Sequence, residues 1–347
     1  MSVPSNLSAT ARSGFASAPA RPSLRRRVVG RLRHMFQSEL AKLHLWRNMR
    51  YDASRFLRYS GATKRGGDLE VEWARITRDY HKLEKGLALP APREGFGADV
   101  VKRLVKLMSV YRVRFGDDQV IDIASGAMHE HARFNGIDPN RDPALAEVLA
   151  AARSVDVGGT FEVTREEIHA AARIDLSAFF SKRYSVRHFD PAPVDPGLIR
   201  RAVEMAQRAP SVCNRQSGRV HVLTSDVRKA QALRYQNGNR GFEVIPVVLV
   251  ITSDLRCFLE PSERYQAWID GGLFAMSLNY ALHSLGLGVC MLNWSVDAST
   301  DAAMRMANAI PEEESIIMMM AVGHLPERFR VAQSPRRPIE EILHFYE

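Results

Sequence analysis

Two short stretches hold the side chains best equipped for chemistry. One is Arg183-Tyr184-Ser185-Val186-Arg187-His188-Phe189. The other, about one helix later, is Ala209-Pro210-Ser211-Val212-Cys213-Asn214-Arg215-Gln216. Arginine's planar fork matches a phosphate two bonds at a time, while serine and amide side chains both donate and accept. Alternating Arg, Ser and Arg can therefore serve both ends of one nucleotide, its phosphate and a polar ring edge. A proline before Ser211 restrains the turn that presents Asn214.

In order along the chain, these stretches resemble the nitroreductase superfamily of flavin mononucleotide (FMN) enzymes. The opening pattern is Arg-x-Ser-x-Arg-x-Phe, followed by a helix and then Ala-Pro-Ser-x-x-Asn-x-Gln. Asp270-Gly271-Gly272 then opens an apolar helix that Gly286-Leu287-Gly288-Val289-Cys290 ends, and Arg336-Arg337-Pro338-Ile339-Glu340-Glu341 follows near the C-terminus. The resemblance implies that Arg183, Ser185, Arg187, Pro210, Ser211, Asn214, Gln216, Gly288, Val289, Cys290 and Arg336 hold FMN. It places Arg183 and Arg336 at the phosphate and Arg187 at the N1/O2 edge, where a fixed cation stabilises the charge created by two-electron reduction. Glycine at 288 permits close approach of backbone to ring. Cys290 has no cysteine partner in sequence and reads as a buried structural thiol.

The implied activity is hydride transfer from NAD(P)H through flavin to a flat, electron-poor small molecule, such as a nitroaromatic, quinone or enone, with ping-pong turnover. It requires no protein acid, base or nucleophile, so no catalytic residue and no metal ligand is assigned. Tyr235, Asn239, Arg240 and Phe242 are the candidate acceptor contacts. Family members are commonly homodimers with flavin in the shared interface. This chain departs from the pattern at Gln216-Ser217-Gly218, where the family has Gln-Pro-Trp; the missing tryptophan leaves room for the helical region to fill. Two other readings are a dedicated tailoring enzyme of a polysaccharide or secondary-metabolite pathway and a non-catalytic flavin-binding adaptor.

The totals set the frame for these motifs. A chain of 347 residues implies two folded units, and 46% apolar residues can build their cores. No apolar run approaches the 18 or so residues that span a bilayer. Three cysteines without a Cys-x-x-Cys pair fit a reducing, cytoplasmic setting. Of the formal charge of +9, much sits at the N-terminus, where Arg12, Arg21, Arg25, Arg26, Arg27, Arg31 and Arg33 all precede the first acid, Glu39. That run reads as a solvated basic tail, not a nucleic-acid surface.

Three segments are expected: a disordered tail over 1–30, an all-helical domain over 31–160 and an FMN domain over 161–347. Apolar periodicity predicts one or two helices between Val28 and Tyr59, then helices over 69–84, 98–115, 117–135 and 143–154. Gly86 reads as a C-cap, and the charged stretch from His81 to Gly97 reads as an interdomain loop or as a lid or effector pocket using His81, Lys82, Lys85 and Arg93. Thr164 with Glu167 spells a capping box, Asp195-Pro196 starts a helix, and Phe179 and Phe180 face the core. Strands are predicted over 219–224, 244–252, 289–294 and 315–323. The helix 264–285 is apolar on nearly every side and must be covered all round, by its own domain or by a second subunit. The fold class is α+β: a nitroreductase-like sheet flanked by helices, preceded by an all-helical domain.

Overall fold

The structure, a computed structural model, describes residues 24–63, 66–150, 152–154 and 157–346. The chain divides into two compact units, Met1–Arg50 and Tyr51–Glu347. Their boundary falls inside the first helix, α1 (Leu24–Tyr59). The basic-tail reading of residues 1–23 lies outside the described residues. Residues 24–30, expected to be disordered, form the opening turns of α1, a run of leucine, arginine and valine without a helix breaker before Gly30. Within the first unit Leu43 and Trp46 are exposed.

In the second unit, α2 (Leu69–Leu87), α3 (Ala98–Phe115), α4 (Gln119–Phe134) and α5 (Pro143–Ala150) share a hydrophobic core centred on Ile76, Leu83, Leu104, Met108, Ile121 and Met128. Asp68 caps α2 by accepting from the N–H groups of Glu70 and Val71. The helix runs through Gly86, so the C-cap reading was wrong. A Cβ there would lie 2.1 Å from the Phe96 ring, so glycine is required by packing. Over residues 81–87 the loop and lid readings both give way with it. His81 and Lys82 lie along α2, tied to Glu84 at 2.9 Å and Asp79 at 2.8 Å.

After α6 (Arg165–Ala171), which opens with the predicted capping box, and α7 (Leu176–Lys182) comes α8 (Pro196–Ala206), capped by Asp195. The sheet follows: β1 (Gly218–Leu223), α9 (Asp226–Leu233), β2 (Val247–Asp254), α10 (Gln266–Ser284), β3 (Leu287–Asn293), α11 (Ala298–Asn308) and β4 (Glu314–His324). Its strand order is β1-β2-β4-β3 and every neighbouring pair is antiparallel.

Strand alternation sends Val247, Leu249 and Ile251 of β2 to the face covered by α8 and α10. Val248 and Val250 point to the opposite face, towards Ala232 of α9 and Met304 of α11. Burial on both faces explains why β2 reads as one continuous apolar run.

Coverage of α10 is incomplete. Trp268, Ile269 and Leu273 are 42%, 52% and 43% exposed, so its own unit buries only part of this helix. Phe180, expected in the core, is 49% exposed and leans on Tyr280 of α10 with ring centroids 4.7 Å apart.

Candidate functional site

The residues expected to hold a nucleotide gather into two groups. In the first, the segment 183–187 runs along the outer edge of β3. Ser185 forms a parallel bridge with Val289, and the Val186 N–H donates to the Val289 carbonyl at 2.9 Å. This added pairing covers an edge strand that would otherwise present unpaired backbone groups. Arg183 thereby reaches a small cleft shared with Gly288, Val289, Asn279 and His283. Cys290, next along β3, is buried; burial pushes its thiol up, while the nearby Arg187 charge pulls it the other way. Among the described residues neither Arg183 nor Arg187 makes an ion pair, and Arg187 donates only a weak 3.4 Å bond to the Ser185 carbonyl.

Gly288 fits this group for a reason the sequence did not show. A Cβ would come within 2.8 Å of a Leu325 methyl and 3.2 Å of a Val186 methyl. Close packing against Leu325, Val186 and Phe189 leaves no room for a side chain at 288.

The second group is the turn after α8. Cys213, Asn214 and Gln216 all have positive φ, at 49°, 53° and 49°. Such backbone costs of order 1–3 kcal/mol per residue and persists only where surroundings impose it. Here the buried Arg215 imposes it. Its Nε donates to the Val212 carbonyl at 3.1 Å, its two terminal nitrogens grip Glu263, and its guanidinium lies over the Phe258 ring. Asp270 of α10 accepts from the Val212 N–H at 3.1 Å, and the Ser211 hydroxyl accepts from the Gln216 N–H at 3.0 Å. Burial opposes ionisation of Glu263, yet the Arg215 and Leu259 bonds outweigh it and hold that carboxyl below its ordinary range. Burial pushes the Asp270 carboxyl up instead. Neither Arg215 nor Glu263 was singled out from sequence; the signal available was a charged residue inside a Pro-Ser turn.

Pro210, Ser211 and Gln216 line a cavity of about 360 Å³ together with Phe274 of α10 and, from α2, Glu70 and Trp73. Gly218, standing where the family pattern has tryptophan, admits no side chain: a Cβ would lie 2.7 Å from the Phe274 ring.

The two groups stay apart within one chain. Both touch α10, but Asp270 and His283 are thirteen residues apart, about 20 Å along a helix rising 1.5 Å per residue. Arg336 joins neither: it is exposed and donates only to the Ser334 carbonyl, while Arg337 pairs with Glu341 at 3.2 Å. Two of the candidate acceptor contacts have partners within the chain. Asn239 donates to the carbonyls of Leu233 and Gln236, and Phe242 stacks on Phe189.

Glu70, Asp254 and Cys257 place three ligand-type atoms within 4.8 Å of one another. Arg256 and Arg219 already occupy Asp254, and burial pushes the Cys257 thiol up to about 12, so that sulfur stays protonated.

An antiparallel sheet between two helical layers, with an arginine segment on its β3 edge and a strained Pro-Ser turn after α8, defines an α+β domain. Residues 180–237 and 228–324 match the Nitroreductase family, so this part of the chain is a nitroreductase-family domain. A protein of Thermus thermophilus called NADH dehydrogenase is 37% identical over 82 residues, covering 24% of this chain and 40% of that protein. Among solved structures, an FMN-dependent nitroreductase of Clostridium difficile has a TM-score of 0.41 and 19% identity over 49% of this chain and 98% of its own. A nitroreductase family protein of Streptococcus pneumoniae has a TM-score of 0.43 and 20% identity over 50% of this chain and 100% of its own. No helix among the described residues is long and apolar enough to cross a membrane.

Proposed function

We propose that the protein is an FMN-dependent oxidoreductase that takes hydride from NAD(P)H and delivers it to a flat, electron-poor acceptor in ping-pong turnover. When bound, FMN supplies the two-electron chemistry, and the chain supplies position and charge. The observation that carries this reading is the pair of guanidinium groups, Arg183 and Arg187, set along β3 beside Gly288–Cys290 with no carboxylate among the described residues neutralising either. Arg183 takes the phosphate and Arg187 the ring edge on which reduction places negative charge. Ser185, Val289 and Cys290 line the route between them.

Pro210, Ser211, Asn214 and Gln216 contact the ring, and their separation from the arginine group supports a site completed by a second copy of the chain. In that homodimer the exposed Trp268, Ile269 and Leu273 form the buried interface, and each Pro-Ser turn serves the flavin held by its partner's arginines. The test is reconstitution with FMN followed by NAD(P)H oxidation with and without a quinone. Oxidation that depends on both FMN and quinone supports the assignment; an FMN-saturated protein that never oxidises NAD(P)H with any acceptor contradicts it.

A further inference from the structure

We propose that α2 of the helical region forms a wall of the acceptor pocket, with Trp73 stacking a flat aromatic acceptor and Glu70 helping to exclude anionic ones. This rests on the flavin reading above and gives the helical region a part in the reaction. Pro210, Ser211 and Gln216, assigned there to the ring, line the same 360 Å³ cavity as Trp73 and Phe274. A flat molecule in this cavity lies beside the residues assigned to the ring edge. The volume falls in the range typical of small-molecule sites.

Trp73 reaches this cavity because nothing on the turn blocks it. Gly218 cannot carry the tryptophan of the family pattern, since Phe274 already occupies the space a side chain would need. Trp73 is partly buried and packs on the helical core, which fixes its ring at the cavity instead of leaving it mobile.

Charge then sets selectivity. Glu70 and Asp270 both line the cavity as acids. Its two cations are already engaged, Arg215 by Glu263 and Arg219 by Glu70 at 3.4 Å and Asp254 at 3.3 Å. An acceptor carrying a carboxylate or sulfonate finds no unpaired cation among the lining residues, whereas a neutral or amine-bearing ring meets carboxylate acceptors.

The experiment uses the full-length FMN-loaded protein, with 4-nitrobenzyl alcohol, 4-nitrobenzylamine, 4-nitrobenzoate and ferricyanide as acceptors. Trp73→Ala is expected to stay yellow and to raise KM for 4-nitrobenzyl alcohol about tenfold, with a much smaller change for ferricyanide because that ion needs no stacking. Trp73→Phe should restore most of the loss, which separates stacking from a general loss of structure. Glu70→Gln should narrow the preference of the wild type for the amine over the carboxylate. Unchanged KM in Trp73→Ala overturns the proposal. So does a colourless Trp73→Ala beside a yellow wild type, which assigns Trp73 to the cofactor. A wild type that binds no FMN removes the flavin reading itself.

Discussion

At the scale of single residues, the pair Arg215–Glu263 holds the strained turn, and its charges are largely withdrawn from water, with the arginine side chain 0% and the glutamate 17% exposed. Glu263→Gln leaves a buried guanidinium without its counter-charge and is expected to cost about 3–5 kcal/mol in urea unfolding near neutral pH. The sign of the pH effect follows from the depressed carboxyl. Its contribution is fully present above the unfolded value of about 4.3 and is lost as pH falls through the folded value. Wild-type stability should therefore drop more steeply on acidification below about pH 4.5 than that of Glu263→Gln; parallel slopes would remove this assignment. Arg183→Gln acts on the ligand instead. Loss of a charge-assisted bond worth about 1.5–3 kcal/mol predicts FMN binding weaker by roughly tenfold to a hundredfold in a fluorescence titration, with Tm of the unliganded protein unchanged.

At the scale of elements, legibility followed the range of the forces involved. Caps at Thr164 and Asp195 and the four strands were readable because local hydrogen bonds and side-chain alternation set them. Gly86 was misread because it is required by a side chain distant in sequence, that of Phe96. The grouping of Arg183 with Gly288, Val289 and Cys290 followed from the family resemblance alone, and the bridge between Ser185 and Val289 gives it a backbone basis. The reinterpretation of Gly86 makes a counterintuitive prediction. Alanine is the better helix former by about 1 kcal/mol, yet Gly86→Ala should lower stability by about 1–3 kcal/mol through overlap with Phe96. The double variant Gly86→Ala with Phe96→Leu should recover most of it. Thermal unfolding of the three proteins decides the matter, and a stabilised single variant would refute the packing argument.

For the whole molecule, the apolar surface left on α10 and the exposed Ile342, Phe345 and Tyr346 of the C-terminal segment support a second copy as their cover. Leu273→Glu should shift the protein from dimer to monomer in sedimentation velocity and release flavin in the same step; a monomeric wild type that binds FMN tightly would rule out the shared site. Most direct for the central claim is the visible absorbance of the purified full-length protein after incubation with FMN and desalting. The account predicts a yellow protein carrying about one FMN per chain, with Arg183→Gln and Arg187→Gln depleted. A colourless wild type with folded circular dichroism and no retained flavin would contradict it.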